Sequence, residues 1–96
     1  MRAYFSVDAD GLRRLRDGAA LAGEAHLPAS EDEADEFDAM MAAAVPNRAV
    51  MAADVDEAGQ SVDLPMVASF HVDVDGSGDL AWYAPDELDQ VLDLLD

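Results

Sequence analysis

The chain has 96 residues, with 22 acidic residues, five basic residues and no cysteine. A second hydrophobic core would leave each half near the roughly 40 to 60 residues at which folding alone becomes marginal, so we expect one domain over residues 1–96. The lack of cysteine excludes disulfides, zinc–thiolate sites and iron–sulfur clusters.

The formal net charge is −17, all five basic residues are arginine, and aspartate outnumbers glutamate 16 to 6. Carboxylates at this density repel one another over a screening length of roughly 10 Å in 0.1 M salt, which molar salt shortens to about 3 Å. We therefore interpret the acid excess as adaptation to high salt. A nucleic-acid mimic is the alternative, but the acids occur in every segment rather than in one tract. Five arginines are too few for a nucleic-acid-binding surface.

The apolar runs bear on localisation and assembly. Asp8 comes too early for a signal peptide, and no apolar run approaches the roughly 20 residues of a membrane span. We therefore expect a soluble, cytoplasmic protein that contacts no membrane. Because 19 residues of the apolar fraction are alanine, the core is small and a homodimer would bury more apolar area.

The first third of the chain predicts a strand and a helix. Residues 2–7 alternate apolar and polar side chains, which is typical of a half-buried strand. Asp8 then caps a helix that carries Leu12 and Leu15 on its buried side and ends at Gly18. The arginines near its C-terminal end are favoured by the helix dipole.

A second helix is predicted in the middle of the chain. Residues 19–29 contain only a weak strand before Ser30 and Glu33, which form a capping-box pattern. The helix ends at Pro46-Asn47, where proline cannot continue it. The predicted buried stripe consists of Ala34, Phe37, Met40, Met41 and Ala44.

The second half predicts three strands and a terminal helix. Residues 48–55 form a nearly continuous apolar run, and residues 69–75 alternate. A glycine-rich turn then returns the chain through residues 80–83 as a hairpin, and residues 85–95 form an amphipathic helix. The predicted fold is α/β or α+β with two layers. About three helices cover one face of a mostly antiparallel or mixed sheet of four or five strands.

Four segments carry a family resemblance: residues 1–4, 33–44 (EADEFDAMMAAA), 50–56 (VMAADVD) and 70–73 (FHVD). In these segments the chain resembles small uncharacterised single-domain acidic proteins of halophilic archaea, and more distantly similar proteins of actinobacteria. The resemblance implies a one-domain α/β fold and no particular chemistry.

The hairpin turn matches the first eight positions of a calcium-binding loop, with Gly78 at position six and Leu80 at position eight. Position twelve is Ala84, where a bidentate glutamate is expected, and a strand precedes the loop instead of a helix. We therefore expect at most weak Ca²⁺ or Mg²⁺ binding, and solvated aspartates are the alternative. The candidate ligands are Asp73, Asp75, Ser77 and Asp79.

His26 and His71 are the only side chains with an ordinary pKa suited to proton transfer near neutrality. His71 shares a strand face with Ser69 and Asp73, but same-face neighbours lie roughly 7 Å apart, beyond the reach of about 3 Å needed for proton transfer. A metal site using both histidines would require their two strands to be adjacent.

Two groups of residues suggest an interface. Arg13, Arg14 and Arg16 form the one basic cluster, which suits a phosphate, an acidic partner or the helix dipole. Trp82 and Tyr83 offer an aromatic anchor, and core packing accounts for one member of this pair.

The leading interpretation is a small non-enzymatic protein-binding or regulatory module adapted to high salt. It would act through a protein partner or self-association at a sheet edge or at Trp82 and Tyr83. One alternative is a divalent-cation-binding domain that uses the Asp73 to Asp79 loop. The other is a small metal-dependent or acid–base enzyme centred on His71.

Overall fold

The computed structural model describes residues 1–95. Two short 3-10 turns, Leu64–Met66 and Pro85–Glu87, precede the third strand and the last helix. Within residues 1–95, no helix has the length and apolar character needed to cross a membrane. The elements in chain order are β1 (Arg2–Val7), α1 (Ala9–Arg16), α2 (Glu33–Ala43), β2 (Ala49–Asp54), β3 (Val67–Val72), β4 (Ala81–Tyr83) and α3 (Leu88–Leu95).

The four strands form one open antiparallel sheet in the order β1-β2-β3-β4. Each strand therefore pairs with its neighbour in sequence, and β2 is an interior strand, as its apolar sequence predicts. The predicted α+β fold is confirmed, with a sheet of four strands and three helices.

One face of the sheet packs against α1 and α3. Phe5, Met51 and Phe70 come from three neighbouring strands and form a buried cluster with Leu12 of α1 and Val91 of α3. The predicted caps explain why these helices begin where they do. The Asp8 carboxylate accepts a hydrogen bond from the Gly11 N–H at 2.8 Å, and proline begins the turn that leads into α3.

The second helix, α2, covers the opposite face of the sheet, mainly over β1 and β2. Tyr4, Val50 and Ala52 point to this side and form a second buried cluster with Ala39 and Ala43 of α2. The expectation that helices lie on one face only is therefore wrong, and Tyr4 is buried rather than facing outward. Burial raises the pKa of Tyr4, and the nearby Glu36 carboxylate adds to this effect.

The predicted start of α2 is wrong, and its predicted buried face is confirmed only in part: Met40 and Ala44 pack against the second cluster, whereas Phe37 does not. The helix begins after Asp32, while the Ser30 hydroxyl bonds to the Asp35 carboxylate instead of capping the helix. Phe37, expected in the core, is 56% exposed. Alanines can pack closely against the sheet, so α2 turns its Ala39 and Ala43 side inward and leaves the large ring in solvent.

A β-bulge between β2 and β3 sets which side chains of β3 face the core. Ala52 pairs with Ser69 and Ala53 pairs with Val67, so Ala68 is the extra residue. Because side chains alternate along a strand, the extra residue returns Val67 to the same buried cluster as Phe70. Ser69 is left on the α2 side of the sheet.

We predict opposite outcomes for two phenylalanine truncations. Phe70 is 0% exposed, so Phe70→Ala should cost about 3–5 kcal/mol of unfolding free energy, or abolish cooperative unfolding. Phe37→Ala removes the same ring from a 56% exposed site and should cost less than about 1 kcal/mol. Urea unfolding in molar NaCl measures both. Equal losses would contradict the observed orientation of α2.

Candidate functional site

The two edges of the sheet differ in how they are covered. At the β1 edge, the Tyr4 N–H donates to the His26 carbonyl at 3.0 Å, and the His26 N–H donates to the Tyr4 carbonyl at 2.8 Å. At the other edge, no strand of residues 1–95 pairs with the outer side of β4. The β4 edge therefore presents unpaired backbone groups, which favour the addition of another strand.

Alternation along β4 sends its two aromatic side chains to opposite faces. Tyr83 pairs with Phe70 across the strands and packs against the main core. Trp82 pairs with His71 on the α2 side and is 62% exposed. One member of this pair therefore packs inward and the other outward, as predicted.

On the α2 side of the sheet, α2 packs mainly over β1 and β2, and beside it Trp82 is exposed, His71 is half-buried and Ser69 is buried. We call the residues Ser69, His71 and Trp82 the Trp82 face. None of them lines any of the three principal cavities of the described residues. A surface outside these cavities suits a macromolecular partner better than an enclosed small molecule.

Ser69 and His71 make a hydrogen bond that the strand spacing did not predict. The Ser69 Oγ and His71 Nε2 atoms lie 2.9 Å apart, although roughly 7 Å was expected between same-face neighbours. The distance between the two side chains is shorter than the backbone spacing because the long imidazole side chain leans back along the strand toward the buried Ser69. A serine and a histidine are thus brought within proton-transfer distance.

The electrostatics around His71 favour the neutral imidazole. Burial lowers the pKa of His71 below its usual value, and the positive charge of Arg2 lowers it further. No carboxylate among residues 1–95 forms an ion pair with His71. The Asp73 carboxylate, the expected third member, instead accepts backbone hydrogen bonds in the following turn. The pair therefore lacks the acidic group that orients the base in a Ser-His-Asp site.

The predicted calcium loop is closed by its own side chains. Asp73 accepts hydrogen bonds from the N–H groups of Gly76 at 2.8 Å and Gly78 at 2.9 Å. Asp75 accepts one from the Ser77 N–H at 3.0 Å, and hydrogen bonds from Ser77 lower the pKa of Asp75. The Ser77 hydroxyl in turn accepts a bond from the N–H of Asp79 at 3.2 Å. These hydrogen bonds hold the loop together from within, and cation binding by Asp73, Asp75, Ser77 and Asp79 stays a prediction.

Other groups that could ligate a metal are held apart. The Glu87 carboxylate accepts a hydrogen bond from the Ala84 N–H at 2.9 Å and so caps the turn before α3 instead of reaching the loop. His26 lies outside β1, with β1 and β2 between it and His71, so the two-histidine site is not formed. No cluster of three or more metal-ligating side chains suited to an ion occurs among the described residues.

Two arginines of the predicted basic cluster have different surroundings. Arg16 Nη1 lies 3.4 Å from the Asp89 carboxylate of α3, which ties α1 to α3. Arg14 lines a cavity beside β1. The interface role of Arg13, Arg14 and Arg16 stays a prediction.

Comparison with protein families, with curated proteins and with solved structures gives no match for this chain. The choice of a site therefore rests on its geometry. The β4 edge combines a highly exposed aromatic side chain, Trp82, with backbone groups available for pairing.

We predict that His71 makes folding stability depend on pH. Its folded pKa lies below the unfolded value of 6.5, so the unfolded chain binds more protons between these two values. Stability should thus be complete above pH 6.5 and fall as the pH drops toward the folded pKa. His71→Asn should flatten this part of the profile, measured by urea unfolding at several pH values. An unchanged slope in the variant, or a native NMR titration midpoint of His71 above 6.5, would contradict the assignment.

Proposed function

We propose that this chain is a protein-interaction module that binds an extended basic segment of a partner protein along β4. The observation that carries the proposal is the open outer edge of β4 beside a tryptophan that is 62% exposed. A partner strand would extend the antiparallel sheet through main-chain hydrogen bonds, and Trp82 would anchor one of its side chains.

The short length of β4 limits how much of the binding free energy can come from backbone hydrogen bonds. With three residues, β4 offers few backbone hydrogen bonds to a partner. Side-chain contacts must therefore supply most of the affinity, and Trp82 is the largest exposed side chain available. Tryptophan is enriched among residues that dominate interface energy, and its ring face also attracts guanidinium and ammonium groups.

Charge complementarity favours a basic partner. Residues 49–96 contain 12 of the 22 acidic residues and none of the five arginines. Asp79 precedes β4 and Asp86 follows it, and both side chains are exposed. An extended segment with arginine or lysine on each side of an apolar centre would place opposite charges at both ends of β4.

A second copy of the chain fits this edge less well. Pairing two β4 strands would bring two sets of the same acidic ends together, and like charges across an interface are unfavourable. In molar salt this repulsion is screened, so self-association there is an outcome that the test must include. The −17 net charge supports the view that the protein works at high salt.

The test of this function uses a synthetic Arg-Thr-Val-Thr-Arg peptide and a Glu-Thr-Val-Thr-Glu control. We expect the basic peptide to shift the backbone amide signals of β4 and the Trp82 indole in 0.15 M NaCl, with weak or no binding of the acidic peptide. Trp82→Ala should weaken binding by at least tenfold, in line with about 2 kcal/mol for a hot-spot side chain.

Phe37→Ala is the matched control, because it removes an exposed ring from α2 and should leave peptide affinity unchanged. Analytical ultracentrifugation of the free protein in 0.15 M and 2 M NaCl tests the second copy. If the free protein is a dimer and Trp82→Ala dissociates it, the β4 edge serves self-association instead of binding a basic partner. The proposal is refuted if both peptides leave the β4 signals unmoved and the protein stays monomeric.

Adaptation to high salt yields a separate prediction. Raising NaCl from 0.05 M to 1 M should increase the free energy of unfolding, because screening weakens repulsion among the carboxylates. Most of the increase should occur below about 0.5 M, where the screening length changes most. Sucrose at matched osmolality stabilises by exclusion alone and serves as the control. Stability that is independent of NaCl would contradict the interpretation of the acid excess.

A further inference from the structure

A small cavity of about 150 Å³ lies at the opposite edge of the sheet from β4. The end of β1, one side of α1 and residues 21–23 surround it. Arg14, on α1, and Arg48, in the turn before β2, both line it, and both residues are exposed. Two arginines that are 34 residues apart in the sequence therefore line one cavity.

Arg14 and Arg48 differ from Arg2 and Arg16 in having no ionic partner among residues 1–95. Arg2 pairs with Asp54 at 2.9 Å, and Arg16 lies 3.4 Å from a carboxylate oxygen of Asp89. Neither Arg14 nor Arg48 forms an ion pair with any carboxylate of residues 1–95. In a chain with 22 acidic residues, two unpaired arginines at the same cavity are unexpected.

The cavity lining also has an unusual charge balance. Asp8 is the one acidic residue that lines it, and its carboxylate already accepts the Gly11 N–H at 2.8 Å as the cap of α1. A cavity at the end of the sheet, of about 550 Å³, is lined by the same Arg48 and by Asp73. The cavity near the N-terminus has one arginine and three carboxylates. The cavity beside β1 is the one of these three with a net positive lining.

Backbone donors add to the arginines. Tyr4 directs its N–H and carbonyl outward to His26, and Ser6, two residues later, directs its own N–H to the same edge. Ser6 lines the cavity there. The Ser6 side chain lies on the α2 side of the sheet by the same alternation, so its hydroxyl is not counted as a ligand.

Glycines keep the cavity open. A Cβ atom at Gly11 would lie 2.9 Å from Val7 Cγ1, so glycine permits the close approach of α1 to β1. Gly23, on the outer wall, would place a Cβ 3.9 Å from the Phe5 ring, in ordinary van der Waals contact. A larger side chain at Gly23 would therefore grow into the cavity without backbone strain.

We infer that this cavity, the Arg14–Arg48 pocket, binds a small oxyanion: a phosphate or carboxylate group. Two guanidinium groups provide forked donors that match the oxygens of such a group, and the Ser6 N–H supplies another. The cavity volume corresponds to roughly five waters of liquid, enough for one such group and little more. This site is independent of the proposed partner at β4.

The −17 net charge opposes binding of anions, but distance limits this effect. At 0.1 M salt, charges beyond roughly 10 Å are largely screened, whereas the two arginines act at contact distance. Anion affinity should therefore increase when ionic strength rises from very low values. It should then fall at molar chloride, which competes for the same arginines.

The test is a titration with inorganic phosphate at pH 7 and constant ionic strength, followed by two-dimensional amide NMR. We expect the signals of Ser6, Gly11 and Gly23 and the side-chain Nε–H signals of Arg14 and Arg48 to move together. Arg14→Gln and Arg48→Gln should each weaken binding by about tenfold or more, because each removes a charge-assisted hydrogen bond. Gly23→Leu keeps both charges and should block binding sterically.

Arg2→Gln is the matched control, since it removes an equal charge outside the pocket and should change affinity by less than about twofold. A titration with acetate identifies the ligand group. If phosphate binds more tightly than acetate, the ligand carries a phosphate group. If the two affinities are comparable, the ligand carries a carboxylate. As a second readout, phosphate should raise the melting temperature of the wild type more than that of the double variant. General salting-out stabilisation is equal in both proteins. The inference is overturned if neither anion moves these signals, or if the double variant binds like the wild type.

Discussion

The packing of helices against both faces of β2 is the constraint on which the rest of the structure depends. Residues 49–53 of this strand are all buried, and their small side chains allow close approach from two sides. Met51 faces α1 and α3, whereas Val50 and Ala52 face α2. With so few large apolar residues, the chain gains burial by using both faces of its central strand, since buried apolar area drives folding.

The same constraint explains which elements could be predicted from the sequence. Strand β1, helix α1 and helix α3 have strong periodic patterns and recognisable caps, and the structure confirms them. The face of α2 could not be deduced, because alanines surround that helix and do not mark one side as Phe37 does. The orientation of α2 is decided by how densely it packs against the sheet, and this depends on tertiary contacts that the sequence pattern does not show.

Two features of the candidate site were also beyond sequence reasoning. The spacing of Ser69 and His71 refers to backbone positions, whereas their hydrogen bond depends on side-chain length and direction. The Arg14–Arg48 pocket joins residues from α1 and the turn before β2, so only the folded chain brings them together. In contrast, alternation along β4 predicts that one of Trp82 and Tyr83 packs inward and the other outward, and the structure shows that Tyr83 is the inward one.

The position of α2 connects the fold to the proposed function. This helix lies mainly over β1 and β2, and on the same side of the sheet Trp82 of β4 remains 62% exposed. The β1 edge is covered at Tyr4 by His26, whereas no strand of residues 1–95 pairs with the outer side of β4, so β4 is the more open edge. Natural proteins usually blunt such an edge with charge or short length, and β4 is both short and flanked by Asp79 and Asp86. These acids deter a second copy and attract a basic strand, so protection of the edge and selection of a partner have one physical origin.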